Sequence, residues 1–195
     1  GDSKSNTEVI VVVSVVLCLL GLCAVTACWA VRKREKKFLE RDRLRYVNTR
    51  KVVTRPPLEQ PLKNHAFLSY SWASGQDTTK LIKTRLQKLV PGLEVFLDTD
   101  DLTAISELEK HIQEAAVVVV ICAPAYFESK NCMRELIAAF KEQKPITSVM
   151  LSNSDFGPEQ ARALLREAEG HYGQWEFASE TTPRATELWG YLFAA

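Results

Sequence analysis

The chain has 195 residues and a net charge of +1, enough for one domain of ordinary size with an addition. The near-zero charge hides an asymmetry: residues 32–63 hold twelve Lys/Arg against four Asp/Glu, a local +8, while residues 64–195 hold twelve against eighteen, a local −6. The five cysteines show no CxxC or Cys/His spacing, which excludes a disulfide framework and a zinc site, and no basic patch with interleaved aromatics suggests nucleic acid.

Residues 1–8 are a short, slightly acidic stub. Val9 to Val31 follows as 23 uncharged residues. As a helix it is about 35 Å long against about 30 Å of hydrocarbon, so it is expected to span a membrane. A signal peptide would carry its basic residues in front of a shorter apolar core. Here they come after it, in Arg32-Lys33-Arg34-Glu35-Lys36-Lys37. Positive residues stay inside, so the N-terminus is expected outside and everything after Arg32 in the cytoplasm, as a single-pass membrane protein. The start at Gly1 suggests a fragment or processed form lacking any larger ectodomain. Residues 32–63 form a basic juxtamembrane linker that also favours anionic lipid. In it, charge alternation from Glu35 to Tyr46 suggests a continued helix, and Pro56, Pro57 and Pro61 a stiff, extended spacer.

Residues 64–195 read as one domain. Ala66–Ser71 is a short strand, and Asp77 is the expected N-cap of a helix over Thr78–Val90. Pro91-Gly92 turns the chain into a second strand, Leu93–Leu97, followed by an acidic loop, Asp98 to Asp101. Ser106 with Glu109 forms a capping box for a helix to about Ala115. Val117–Ala123 is an unbroken apolar run, which predicts a strand covered on both faces. Pro124 stops it, a polar loop follows, and Cys132, Leu136, Ala139 and Phe140 share one side of the next helix, with Glu135 one turn in. Ile146–Leu151 is a fourth strand, and Pro158 opens a helix to about Glu169. Tyr172–Phe177 is expected as a fifth strand, and Thr182-Pro183 starts a last helix. Five strands alternating with five helices predict a doubly wound α/β domain, a five-stranded parallel sheet in the flavodoxin-like order 2-1-3-4-5, preceded by the transmembrane helix. No GK[ST] loop follows any strand, so it is no P-loop nucleotide-binding domain. The third strand ends Cys122-Ala123-Pro124 without an acceptor Asp, so it is no phospho-receiver.

Three stretches resemble boxes of the Toll/interleukin-receptor (TIR) family. Phe67-Leu68-Ser69-Tyr70-Ser71 is similar to the opening box, and Gly92-Leu93-Glu94-Val95-Phe96-Leu97-Asp98 with Leu102 to the second. Tyr126, Ser129, Cys132, Glu135 and Leu136 match the third. The chain departs from the pattern at Asn131, where the family usually has Trp, and at Thr103-Ala104-Ile105, where it has Gly or Pro-Gly. A transmembrane helix before such a domain is the layout of TIR receptors.

The resemblance implies two functions. The first is a membrane-anchored signalling module that binds other TIR domains, of its own kind or of an adaptor, through the loop carrying Asp100, Asp101, Leu102 and Ile105; this ranks first. The alternative is a NAD glycohydrolase activated by clustering, with NAD as substrate rather than cofactor. There the family glutamate, here Glu135, stabilises an oxocarbenium-like ribose, and Ser71, Trp72 and Asp98 at neighbouring strand ends line the substrate crevice. His65, His111 and His171 are isolated and no metal-binding cluster is expected.

Overall fold

The structure is a computed structural model and describes residues 25–26, 28–34, 42–97, 106–151, 155–177 and 179–193. The chain divides into two units, Gly1–Val53 and Thr54–Ala195.

In the first unit the described residues 25–26 and 28–34 are helical, and the rest of the expected span Val9–Val31 lies outside the described residues, as does the stub 1–8. Among the described residues no helix is long and apolar enough to cross a membrane. The helix expected to continue to Tyr46 does not do so in the described part: residues 42–49 turn, and Arg45 bridges antiparallel to Val52. Charge alternation suits a solvated helix, but here backbone bonds between Leu44 and Val53 close a hairpin instead.

The second unit is built on a parallel sheet of four strands. β1 (Asn64–Ser69), β2 (Val95–Leu97), β3 (Ala115–Cys122) and β4 (Ile146–Met150) lie in the order β2-β1-β3-β4. β3 pairs with β1 on one edge, Val118 opposite Phe67 and Val120 opposite Ser69, and with β4 on the other. Side chains of a strand alternate between faces, and here both faces are apolar. Phe67, Val118, Val120 and Cys122 join the larger core, while Ala66, Leu68 and Val95 join a smaller one against Val117 and Val119. That explains why the sequence of β3 shows no alternation.

Six helices are described around the sheet: α1 (Trp72–Leu89), α2 (Ser106–Gln113), α3 (Pro124–Phe127), α4 (Lys130–Lys141), α5 (Pro158–Gly170) and α6 (Ala185–Phe193). α1 begins at Trp72 with Ser71 in the cap position, six residues before the expected start, so Asp77 lies inside the helix rather than capping it. Between α1 and β2 the turn needs Gly92 at φ 80, and a Cβ there would meet Arg55 Cδ at 3.0 Å. The polar stretch after β3 is reached only through α3, one turn that buries Tyr126 and Phe127.

The sheet has four strands rather than five. Residues 171–176 form successive turns, with Glu176 at φ 64 and Phe177 N–H bonded to Tyr172 O at 2.9 Å. Tyr172, Trp175 and Phe177 give the segment the aromatic content of a strand, but they pack as an aromatic group, Tyr172 and Trp175 each edge-on to Phe177 at about 6 Å. Their rings cover the core from a coil, so no backbone pairing is needed.

Burial holds several protons in place. The Cys122 thiol is pushed up to about 12 by burial, as are the Tyr172 phenol, with Glu169 adding to the effect, and the Tyr191 phenol. Unfolded, a thiol titrates near pH 8.5 and a phenol near pH 10, at about those values. Folded values above unfolded ones mean that this stability is fully present below about pH 8.5 and is lost as pH rises toward 12. The urea midpoint of unfolding should therefore be level between about pH 7 and 8 and fall steadily between about pH 9 and 11. A midpoint constant across the upper window would contradict this.

Candidate functional site

In a parallel sheet the strands all end at one edge and the following helices begin there, so side chains from separate crossovers meet. β1 ends at Ser69, β3 leads into α3, and α4 starts behind its cap. Ser129 Oγ accepts the Cys132 N–H at 3.4 Å, which sets where α4 begins and the direction in which it projects Glu135.

Glu135 stands in the second turn of α4, not the first, and is 5% exposed. The helix dipole acts within the first turn, so it does not account for an acid here. What holds the carboxylate is Ser69, whose hydroxyl donates to Glu135 Oε2. Ser69 is fully buried, on the face of the sheet occupied by Phe67 and Val120. Its Oγ lies 2.7 Å from the Tyr126 hydroxyl, which also reaches the Cys132 carbonyl at 3.2 Å. Because Ser69 spends its single proton on Glu135, Tyr126 is the donor in both of its contacts, sharing its one proton between Ser69 Oγ and, at longer range, the Cys132 carbonyl. The order is Tyr126 to Ser69 to Glu135, a chain of hydroxyls ending on a carboxylate. Tyr126 is fully buried, and burial, then the neighbouring Cys132 and Glu135, push its phenol well above the usual range. It therefore stays a neutral donor. Cys132 is tied in beside it, its thiol donating to Tyr70 O at 3.3 Å.

Above Glu135 lies a cleft of about 400 Å³ lined by Tyr70, Ser71, Trp72, Ser129, Asn131 and Cys132 among others. This falls within the range of small-molecule sites, about 300–1,000 Å³. Ser71 is buried, yet its hydroxyl makes no cap bond to α1. Trp72 stands 58% exposed at the mouth, an aromatic surface on which a planar ring can stack. A larger cleft of about 660 Å³ runs along another face of α4, past Arg134 and Trp175. Its charges are largely paired, Arg134 with Glu109 at 2.7 Å and Lys130 with Glu176 at 3.7 Å, and Glu135 does not line it.

The structure thus brings together Ser71, Trp72 and Glu135 of the residues expected from sequence. Asp98, and the contact residues Asp100, Asp101, Leu102 and Ile105, lie outside the described residues. The sequence reading had no role for Ser69 and Tyr126, although both sit inside the boxes that carry the family resemblance. His65 is buried, and its ring is satisfied on both sides: Nε2 donates to Pro56 O at 2.9 Å and Nδ1 accepts from Glu94 N–H at 3.0 Å. His111 stacks on Phe96 at 4.2 Å. Among the described residues no group of three or more His, Cys, Asp or Glu gathers to hold a metal ion.

A family model described as TIR domain matches residues 66–179. No curated protein matches the chain. Among solved structures it is similar to the TIR domain of the Toll-related receptor TRR-2 from the lower metazoan Hydra magnipapillata. That likeness has 13% identity over 49% of this chain and 76% of that one, with a TM-score of 0.41. It is also similar to the TIR domains of the activated Roq1 resistosome directly recognizing the pathogen effector XopQ. Here identity is 19% over 66% of this chain and 84% of that one, with a TM-score of 0.45.

The hydroxyl chain makes a direct prediction about coupling. Ser69→Ala removes one hydrogen bond from the buried carboxylate and should cost about 1–3 kcal/mol, whereas Tyr126→Phe should cost about 0.5–1.5 kcal/mol. Because Ser69 links the other two, the double variant should deviate from additivity by at least about 0.5 kcal/mol in urea unfolding. Strictly additive losses would mean that the two hydroxyls do not act as one chain.

Proposed function

Because the chain belongs to the TIR domain family, we propose that it is a signalling domain whose clustered form cleaves NAD at the nicotinamide–ribose bond. The observation that carries this is the buried Glu135 carboxylate, held by Ser69 at the floor of a cleft with an exposed indole at its mouth. A carboxylate kept in a low-dielectric, pre-oriented position stabilises positive charge developing nearby far better than one in water.

In this reading nicotinamide stacks against Trp72, and Ser71 contributes a hydroxyl to the ribose. The bond from C1′ of the ribose to the ring nitrogen breaks, and its electron pair neutralises the departing pyridinium. The oxocarbenium-like ribosyl group is stabilised by Glu135. Water then adds to C1′ and releases a proton, giving ADP-ribose. Asp98 belongs to the same proposal, as the residue that follows β2.

Membrane anchoring through Val9–Val31 and homotypic or adaptor association through the loop of Asp100, Asp101, Leu102 and Ile105 complete the proposal. The charge asymmetry across Arg32 supports the first. Held on a membrane with the domain in the cytoplasm, TIR domains meet at high local concentration, which is the trigger for cleavage. Association without cleavage is the competing reading, and Glu135 separates the two.

Glu135→Gln keeps the side-chain size and leaves an oxygen for Ser69, but removes the charge. In the full chain clustered on phospholipid vesicles, this variant should lose NAD turnover by at least about a hundredfold, the scale for one positioned electrostatic group. Chemical cross-linking should show association unchanged. Turnover unaffected by the substitution, or none in the clustered native chain, would break the enzyme reading and leave association alone.

A further inference from the structure

Leu44 to Val53 closes a hairpin by its own backbone. Val53 N–H donates to Leu44 O at 2.8 Å, and Tyr46 N–H to Lys51 O and Arg50 N–H to Tyr46 O at 2.9 Å each. Arg50 turns the chain at φ 57, and Arg45 Nη1 donates to its carbonyl at 3.1 Å. The bonds that shape the tip are thus almost all main chain, and they leave the side chains outward. Leu44 is 47% exposed, Tyr46 56% and Val47 84%. Around them stand Arg45, Arg50 and Lys51, also exposed. Residues 43–53 contain four Lys/Arg and no Asp or Glu.

Three apolar side chains left in water inside a ring of cations have no fold-level reason to be there. A water-facing turn would carry polar residues. An acidic protein surface would answer the cations but needs a pocket for each apolar tip. An anionic bilayer answers both at once: aliphatic and aromatic side chains enter the boundary between headgroups and acyl chains, and cations meet the phosphates. The same chain offers a marker of headgroup depth nearby. Trp29 carries Lys33 Nζ 4.7 Å from its ring centroid at the end of the apolar run, a pairing suited to the interface. From Arg34 to Leu44 is ten residues, a reach of at most about 35 Å.

We propose that the Leu44–Val53 hairpin is a membrane-docking element that inserts Tyr46 and Val47 into an anionic phospholipid leaflet and binds its headgroups through Arg45, Arg50 and Lys51. It rests on the membrane anchoring proposed above, and adds a second, charge-selective contact to it.

The test uses the full chain in phospholipid nanodiscs of phosphatidylcholine, with or without phosphatidylserine. Trypsin cleavage after Arg50 and Lys51 is followed by mass spectrometry. Docking should slow cleavage at least about tenfold in the phosphatidylserine discs, and added salt should reverse much of that protection. Val47→Glu, at a side chain 84% exposed, should abolish most of the protection with the domain still folded. Equal cleavage in both lipids overturns the proposal, as does a Val47→Glu chain protected like the native one. Protection by polyglutamate in solution equal to that by phosphatidylserine would assign the surface to an acidic protein, and also overturns it. Anchoring fails separately: the chain would then not co-elute with phosphatidylcholine discs.

Discussion

β3 is apolar on both faces and bonded on both edges, and the rest of the domain follows from that constraint. Main-chain groups buried this deeply must be paired, so β1 and β4 lie alongside in register. Two apolar faces must be covered, so the connections between strands are helices packed on the sheet. Connections of that kind make the strands parallel and bring all their ends to one edge. The site is a consequence. Ser69 ends β1, while Tyr126 and Glu135 both come from the helical connection between β3 and β4, so two distant segments deliver three polar side chains to one point.

A carboxylate in that position would be costly if left alone, since burying a charge is unfavourable unless hydrogen bonds compensate it. Ser69 meets the cost on one oxygen, and Tyr126, kept neutral by burial, donates in turn to Ser69. The same bonds fix where the carboxylate points. A group oriented before a substrate arrives needs no reorganisation when charge develops beside it, so one arrangement serves stability and the chemistry proposed for it.

Charge is distributed along the chain to match. The basic stretch, residues 32–63, and the acidic domain after it carry opposite signs, +8 and −6. An anionic leaflet attracts the first and repels the second. The hairpin at Leu44–Val53 belongs to the basic stretch, and its apolar tips distinguish it from a stretch of purely solvated charge.

By itself the sequence determined the sheet's parallel character, the order of its first four strands and the helices over β3, because those rest on apolar runs and spacings that survive in one dimension. The unbroken run from Val117 and the helical spacing of Cys132, Leu136 and Ala139 each have one cheap way to be buried. It did not determine the start of α1, because a cap is chosen by the direction in which the chain leaves β1, and Asp77 carries the same local signal as Ser71. Nor did it exclude a fifth strand, since the aromatic content at Tyr172, Trp175 and Phe177 suits a strand or a coil folded onto a core. Glu135 was legible as a residue, through its place in a family box. Its hydroxyl chain was not, because Ser69 lies 66 positions from Glu135, and only the docking of the end of β1 against the connection between β3 and β4 brings the oxygens of Tyr126, Ser69 and Glu135 into one line of hydrogen bonds.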